Sequence, residues 1–383
     1  MADLPVAIVR GGTSKGVFLH LDLVPGDPAE RDRLLLRLMG SPDPMQLDGL
    51  GGTHSSTSKV MAVGPAAAGS GADVDYLFAQ VAVDEAVVDL TGNCGNLTAA
   101  VGHYAIDEQM VPGLVPPGPA TTVLRLRNLN TGVVIRATIP VTAEGRAAWE
   151  GDTVIDGVPG TGAAIVTDYL DPGGSVTGKL FPTGARAEDL GGHIASIVDV
   201  SSPYLFLAAE SFGLTGHEAT ADLNGRPELL AELEQLRAEA GRRIGVASKA
   251  IPRTVLVATG RDLRVLATSM GRFHHAVPMT GALCIGAAAR LAGTVVHHVT
   301  RPAAVSTPTP TPTPTPANPA NCGAGAQNAA PGATVPALSG SVVRIEHPKG
   351  AVEATVEIDG DDRVASTGVV RTARRLLTGT AHL

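Results

Sequence analysis

The sequence predicts an α+β fold with two similar domains, each built from strands around one buried helix. Three observations lead to this prediction: β-rich runs are numerous, helical patterns are few, and two of the helical patterns consist largely of small apolar residues. Strands and helices do not alternate regularly along the chain, so a parallel βαβ architecture is not favoured.

The β-rich runs are separated by turns that contain Gly, Pro, Asn or Asp. They cover Pro5–Val9, Lys59–Val63, Val74–Val83, Thr122–Leu126, Val133–Ile139, Ala164–Thr167, Ile197–Val200, Tyr204–Ala208, Thr254–Ala258, Leu263–Ala267, Val342–Glu346 and Ala351–Ile358. Apolar periodicity and end signals predict helices at Ala29–Met39, Leu97–Gln109, Pro227–Arg243 and Gly281–Ala292. One more strand is expected to end near Val299.

Two of these helices, Leu97–Gln109 and Gly281–Ala292, resemble each other. Each follows a turn that contains glycine, and neither has a strongly polar face, so both should be buried. One buried helix in each half of the chain suggests two similar domains whose helix N-termini point into a shared cleft. Chance similarity between two alanine-rich helices is the competing explanation.

Composition narrows the class of protein. The 383 residues, 44% of them hydrophobic, are enough for two domains with their own cores. A net charge of −8, an aromatic content of 3% and the lack of any Lys/Arg run indicate no nucleic-acid partner. An anionic substrate would therefore be held by local basic and backbone groups.

Apolar runs and cysteine spacing indicate the cellular location and the redox environment of the protein. No signal peptide is evident, and the apolar runs are too interrupted to span a membrane. Cys94, Cys284 and Cys322 are too few and too scattered for a disulfide framework or a thiolate metal site. We expect a cytoplasmic protein with no membrane partner, and a homodimer is compatible with the sequence.

A Thr-Pro repeat interrupts the second half of the chain. Residues 306–316 read Ser followed by five Thr-Pro pairs, and Ala-, Asn- and Gly-rich sequence continues to about residue 339. Alternating prolines block helices and central strands and favour extended polyproline conformation. The sequence predicts a flexible surface insertion at 306–339, with Cys322 inside it and no part in catalysis.

The segment Gly92-Asn93-Cys94-Gly95-Asn96 places a thiol at the start of a predicted helix. Free N–H groups and the positive end of the helix dipole favour a thiolate at such a position and also bind anions such as carboxylates. The alternative is a small buried cysteine beside a helix cap. The flanking glycines favour the functional interpretation, because their backbone can lie close to a ligand.

Two glycine-rich segments offer further candidate groups. Arg10-Gly11-Gly12-Thr13-Ser14-Lys15-Gly16 lacks the order of a Walker phosphate loop and is better interpreted as a tight turn. Its N–H groups, the Ser14 hydroxyl and the Lys15 ammonium could hold a carboxylate. Lys59 follows the second segment, 48–58, at the start of an apolar strand, where burial could lower its pKa into the range of a general base. An ordinary hairpin and a solvated lysine are the competing interpretations.

Taken together, these segments resemble the PrpF family. The resemblance rests on the motifs at 10–18, at 48–60 and at 92–106, and it continues along the chain. The further matching motifs are Asn128-x-Asn130-Thr131, Gly157-Val158-Pro159-Gly160-Thr161, Gly178-Lys179-Leu180-Phe181-Pro182-Thr183-Gly184, His274-His275-Ala276, Thr280-Gly281-Ala282 and Arg371-Thr372-Ala373-Arg374-Arg375. It spans nearly the whole chain outside the Thr-Pro insertion.

The resemblance implies a diaminopimelate epimerase-like fold, in which each domain is a β-barrel-like sheet wrapped around a central helix. We expect domains at 1–185 and 186–383, with the last residues packed back on the first domain. Family members shift a proton across the allylic system of an unsaturated di- or tricarboxylate without a metal or organic cofactor. By motif match, Lys59 and Cys94 are the catalytic residues. The expected substrate contacts are Ser14, Lys15, Gly95, Asn96, Thr280, Gly281 and His275.

Two other functions remain open at this stage. The first is an amino-acid racemase or epimerase on the same fold, which would use two thiols. The turn before the second helix carries Pro278, Met279 and Thr280 instead of a cysteine, and Cys284 lies inside the helix, where core packing is expected. The second is a carboxylate-binding protein without catalysis. For a catalytic pair, either Lys59 or Cys94 could act as the base.

Overall fold

The computed structural model describes residues 3–300 and 340–383, except residues 91, 117, 119, 247, 249, 250, 261 and 270. The expected insertion at 306–339 therefore lies outside the described residues. The described part of the chain forms one continuous ladder of hydrogen-bonded strands with few helices. The predicted α+β class is confirmed.

The chain folds in two successive series of elements. The first contains β1 (Asp3–Gly11), β2 (Ser14–His20), α1 (Pro28–Met39), β3 (Lys59–Pro65), β4 (Val74–Val81), β5 (Val88–Asp89), α2 (Gly95–Asp107), β6 (Ala120–Asn128), β7 (Val134–Val141) and β8 (Ile165–Leu170). The second contains β9 (Glu188–Leu190), β10 (His193–Asp199), β11 (Pro203–Ala208), α3 (Thr220–Asn224), α4 (Pro227–Arg243), β12 (Arg253–Ala258), β13 (Leu263–Ser269), β14 (Arg272–Phe273), α5 (Met279–Arg290), α6 (Val295–Val299), β15 (Ser341–His347), β16 (Gly350–Ile358), β17 (Val364–Arg371) and β18 (Ala373–His382).

The strand order repeats. The first sheet runs β18-β1-β2-β3-β4-β6-β7-β8 and the second β9-β10-β11-β12-β13-β15-β16-β17. In both, the third and fifth pairs are parallel and all the others antiparallel. Antiparallel pairing of β8 with β17 joins the sheets. The two halves therefore share one topology.

Each sheet surrounds one buried helix. Helix α2 contacts all eight strands of the first sheet, and α5 contacts strands of the second, including β15, β16 and β17. All residues of α2 except Asn96 and Asp107 are buried, as are those of α5 except Thr280 and Arg290. Small side chains allow this close approach of strands to helix, because they leave room for the sheet on every side.

The amphipathic helices α1 and α4 cover the outer faces. Leu35 and Leu38 of α1 pack with Val17, Leu19 and Val60 of the first sheet. Local signals explain where α1 begins and ends. Asp27 accepts a hydrogen bond from the Glu30 N–H at 2.9 Å, and Gly40 takes the left-handed conformation at the C-terminus.

One sequence prediction fails near the insertion. Val295–Val299 is a short helix, not the end of a strand. The side chain of Thr294 caps it by accepting a hydrogen bond from the His297 N–H at 3.0 Å. Val295 and Val296 are both buried, and two adjacent buried residues do not follow the alternation of a half-buried strand.

The final strand crosses between the series. β18 pairs antiparallel with β1 along nearly its full length, from Asp3 opposite His382 to Gly11 opposite Ala373. We propose that the boundary between domains 1–185 and 186–383 lies in the connection from β8 to β9, and that β18 completes the first domain. Truncating β18 would then expose the edge of the first sheet.

Candidate active site

Cys94 occupies the N-cap position of α2 and is half-buried. Its carbonyl accepts hydrogen bonds from the Thr98 N–H at 2.9 Å and from the Thr98 hydroxyl at 3.1 Å, which closes the first turn of the helix. Helix α2 begins at Gly95, two residues earlier than the sequence predicted. The thiol therefore lies directly at the helix N-terminus.

Ser14 of the first hairpin is a polar neighbour of Cys94. Its buried hydroxyl lies 3.8 Å from the Cys94 Sγ. The hairpin can approach the helix because Gly11 and Gly12 have no side chains: a Cβ at either position would overlap Asn96. Gly12 also has a φ of +49°, which favours glycine. The glycines of the N-terminal motif thus position Ser14.

Lys59 begins β3 and is also half-buried. Burial lowers the pKa of its ammonium from the ordinary 10.5, and the smaller charge interaction with Cys94 acts in the opposite direction. The Lys59 Nζ donates a hydrogen bond to the Gln80 Oε1 and lies 5.3 Å from the centre of the Phe78 ring. The lysine is therefore partly desolvated and held in place.

Gln80 is a residue that the sequence reasoning missed. Its amide nitrogen donates to the carbonyls of Ser55 and Ser58 at 3.0 and 2.9 Å, which fixes the oxygen toward Lys59. A neutral partner orients the ammonium without stabilising its charge as a carboxylate would. The signal for Gln80 is the antiparallel register, in which it stands opposite Lys59.

Buried Gln46 organises the glycine-rich loop before Lys59. Its side chain donates to the Ser58 Oγ at 2.7 Å and accepts from the Thr53 N–H at 2.8 Å. A Cβ at Gly51 would overlap the Gln46 amide, which explains the glycine there. The loop is thus a support for Lys59.

The two helix N-termini meet, as expected from the sequence. A Cβ at Gly95, the first residue of α2, would overlap the side chain of Met279, the first residue of α5. The Tyr169 hydroxyl lies 3.9 Å from the Met279 Sδ. The Cys94 site therefore lies where the two halves of the chain contact each other.

A network of buried hydroxyls lies below Cys94 and was also missed. The Asn93 Oδ1 accepts from the Tyr76 hydroxyl at 3.2 Å and lies 3.0 Å from the Thr98 Oγ1, and the Asn93 amide donates to the Tyr169 hydroxyl at 3.4 Å. Burial raises the pKa of Tyr76 to about 12 and raises that of Tyr169. Both phenols therefore stay neutral and fix Asn93, the residue before Cys94.

Other predicted site residues are placed differently. Lys15 alternates with Ser14 along β2, on the face where Val17 and Leu19 pack against α1, so its side chain is directed away from Cys94. The exposed His275 lies with its Nδ1 2.6 Å from the Thr220 hydroxyl. The Asn96 side chain is held between Thr13 and Arg371.

At the second helix, Thr280 contacts the Tyr204 hydroxyl at 3.0 Å, and Gly281 lies beneath the same hydroxyl. Cys284 is fully buried, and its thiol donates to the Val198 carbonyl at 3.4 Å. Burial raises the pKa of the Cys284 thiol well above its ordinary value. Its expected role in core packing is confirmed, and it does not provide a second thiol at a helix N-terminus.

Within 3–300 and 340–383, apart from the gaps given above, no group of three or more His, Cys, Asp or Glu side chains could hold a metal ion. In the same part of the chain, no helix combines the length and the apolarity needed to cross a membrane.

Comparison with known proteins identifies the family. The family model described as PrpF protein matches residues 1–308. The chain belongs to the PrpF family. The 4-oxalomesaconate tautomerase of Pseudomonas putida (strain KT2440) is 37% identical over 384 residues, which cover 98% of this chain and 95% of that protein.

Solved structures agree with the PrpF assignment. The crystal structure of methylitaconate-delta-isomerase superposes with a TM-score of 0.82 at 35% identity, covering 99% of this chain and 95% of the other. A probable proline racemase from Agrobacterium radiobacter K84 gives a TM-score of 0.51 at 12% identity, covering 99% and 93%, and shows similarity of fold alone. The predicted epimerase-like fold is confirmed.

Proposed function

We propose that this protein is a cofactor-independent isomerase that moves a proton across the allylic system of an unsaturated di- or tricarboxylic acid. The observation that supports the proposal is that the first hairpin contacts both residues: Ser14 lies 3.8 Å from the Cys94 Sγ at the start of α2, and a Cβ at Gly16 would overlap both the Lys59 carbonyl and Leu97 of α2. The pair supplies two groups that can exchange protons with a substrate bound between them. The proposed binding partner is this unsaturated carboxylic acid. We also propose a cytoplasmic location.

The relatives support the reaction class. The tautomerase and the isomerase described above are named for oxalomesaconate and methylitaconate, which are unsaturated carboxylic acids. A proton shift interconverts isomers of such acids, so the same chemistry fits this chain.

The proposed reaction is balanced by the two residues alone. Neutral Lys59 removes a proton from one end of the allylic unit, which leaves a dienolate, and the Cys94 thiol delivers a proton to the other end. Lys59 is then an ammonium beside a thiolate, and proton exchange between them, directly or through solvent, restores the starting state. The reverse assignment also balances: the Cys94 thiolate removes the proton from one end of the allylic unit, and the Lys59 ammonium delivers a proton to the other end.

The developing negative charge needs donors that are already in place. We propose that the N–H groups at the start of the two helices, from Gly95, Asn96, Thr280 and Gly281, and the Ser14 hydroxyl provide them. Lys15 is not included, because its side chain is directed away from Cys94. His275 remains a proposed contact for a substrate carboxylate through its ring edge, oriented by Thr220.

An ultraviolet assay tests the function. The purified protein would be mixed with a panel of methylitaconate-like, aconitate-like and oxalomesaconate-like acids while absorbance reports the change in conjugation. We expect conversion of at least one acid, with deuterium incorporated from solvent at an allylic carbon. Complete inactivity on the panel, or exchange at the Cα of an amino acid instead, would contradict the proposal.

Changing Gln80 to glutamate gives a second prediction. A carboxylate beside Lys59 stabilises the ammonium and raises the pKa of Lys59. The limb of the kcat–pH profile that reports Lys59 should then move to higher pH, with about a tenfold change in the neutral fraction for each unit. Gln80→Met, which adds no charge, is the control. If the kcat–pH profile of Gln80→Glu matches that of the wild type, ionisation of Lys59 does not set the pH dependence of kcat.

A further inference from the structure

The second half of the chain has an arginine where the first half has Lys59. Lys59 begins β3, which pairs in parallel with β2, and Arg253 begins β12, which pairs in parallel with β11. Because the two sheets share one strand order, β3 and β12 are equivalent strands. Arg253 therefore occupies the position that corresponds to Lys59.

The two residues also share the same face of their sheets. Met61 and Val63 of β3 belong to the core around α2, and Val255 and Val257 of β12 belong to the core around α5. Side chains two residues apart along a strand point to the same side. Arg253 therefore lies on the α5 side of its sheet, as Lys59 lies on the α2 side.

Contacts place Arg253 at the N-terminus of α5. Its Nη1 donates to the Tyr204 hydroxyl at 3.2 Å, and that hydroxyl lies 3.0 Å from the Thr280 Oγ1. Met279, the residue before Thr280, contacts Gly95 beside Cys94. Arg253, Tyr204 and Thr280 thus form a polar cluster on the second-half side of the contact between the helices.

Arg253 has no acidic partner among the described residues. Most other half-buried or buried arginines do, although Arg10 and Arg371 also have no ion pair in this part of the chain. The ion pairs include Arg127–Asp75 at 2.7 Å, Arg136–Asp168 at 3.1 Å, Arg237–Glu234 at 2.7 Å, Arg264–Glu346 at 2.6 Å and Arg375–Glu108 at 2.9 Å. The Arg253 Nε is buried and has no hydrogen-bond acceptor. A half-buried cation without a counter-ion, one of whose N–H groups is buried and unpaired, favours an anion from outside the chain.

We propose that Arg253, together with Thr280 and Tyr204, binds the substrate carboxylate that lies farthest from the proton transfer. This inference rests on the proposed function for the identity of the ligand, a polycarboxylate. A guanidinium matches a carboxylate with two parallel hydrogen bonds and keeps its charge at any working pH. In this arrangement Lys59, at the start of β3, transfers protons, and Arg253, at the equivalent place in β12, binds the substrate.

Calorimetric titration with tricarballylate, a saturated tricarboxylate that cannot isomerise, tests the proposal without requiring turnover. Arg253→Met should weaken binding by about 10- to 100-fold, the usual range for loss of a charge-assisted contact. Arg253→Lys should recover part of the affinity. Arg290→Met is the matched control, since Arg290 is an exposed arginine at the C-terminal end of α5, about 17 Å along the helix from Met279.

The outcomes separate the proposals. Wild-type affinity in Arg253→Met, an equal loss in Arg290→Met, or no binding of tricarballylate to the wild-type protein would overturn the role of Arg253. With the substrate identified by the ultraviolet assay, Arg253→Met should raise KM much more than it lowers kcat. Failure of Lys59 and Cys94 variants to lose turnover would instead remove the proposed chemistry, while tricarballylate binding could still depend on Arg253.

Discussion

Replacing Lys59 with arginine is expected to reduce kcat by about a hundredfold or more while the substrate still binds. Arginine retains the positive charge and most of the length of lysine but cannot become neutral in a protein. A lysine that only holds a carboxylate would tolerate the change, with its main effect on KM. Steady-state measurement of kcat and KM for Lys59→Arg therefore distinguishes proton transfer from binding.

Lys15→Arg is the matched control, because it makes the same substitution on the opposite face of the neighbouring strand. Its kcat should stay near the wild-type value. Burial lowers the pKa of Lys59 below 10.5. As pH rises through that lowered value the ammonium loses its proton, so a limb that requires the base should rise below pH 10.5. Near-normal kcat in Lys59→Arg would exclude Lys59 from the chemistry.

Replacing Cys94 with serine is expected to leave the fold intact and to lower kcat by about a hundredfold or more. Serine has nearly the same shape, and the backbone carbonyl of Cys94, not its thiol, closes the first turn of α2. The hydroxyl is a far weaker acid than the thiol, so it cannot cycle a proton near neutral pH. The measurement is kcat on the substrate found in the panel, with circular dichroism to verify folding.

Cys284→Ser is the control for this variant. Cys284 is fully buried in the core around α5, so the change should lower the melting temperature and leave turnover largely intact. Site-resolved labelling with iodoacetamide should modify half-buried Cys94 well before Cys284. Wild-type turnover in Cys94→Ser would exclude Cys94 from the proton transfer.

Local signals explain what the sequence predicted well. Helix α4 begins and ends where expected, at Pro227 and Arg243, because proline suits the first helical turn and the arginines suit the last. Helices α2 and α5 each begin two residues earlier than predicted. Their first turns close around the carbonyls of Cys94 and Pro278, and no periodic apolar residue marks that closure.

Non-local pairing explains what was missed. Strands β17 and β18 were not predicted, although β18 completes the first sheet by pairing with β1. Gln80 was missed because its role depends on standing opposite Lys59 across an antiparallel pair. Lys15 was assigned to the substrate from its place in a motif, and only the strand register shows that it alternates with Ser14 along β2.

The sequence by itself determined the α+β class, the two small-residue helices and the residues that carry reactive groups, because propensity, capping and glycine-rich turns act within a few positions. Tertiary structure decided which of these groups meet. It brings Ser14 to within 3.8 Å of Cys94 and places Gly95 against Met279. It also sets Arg253 in the place equivalent to Lys59, since strand order and register arise from pairing between segments far apart in the chain.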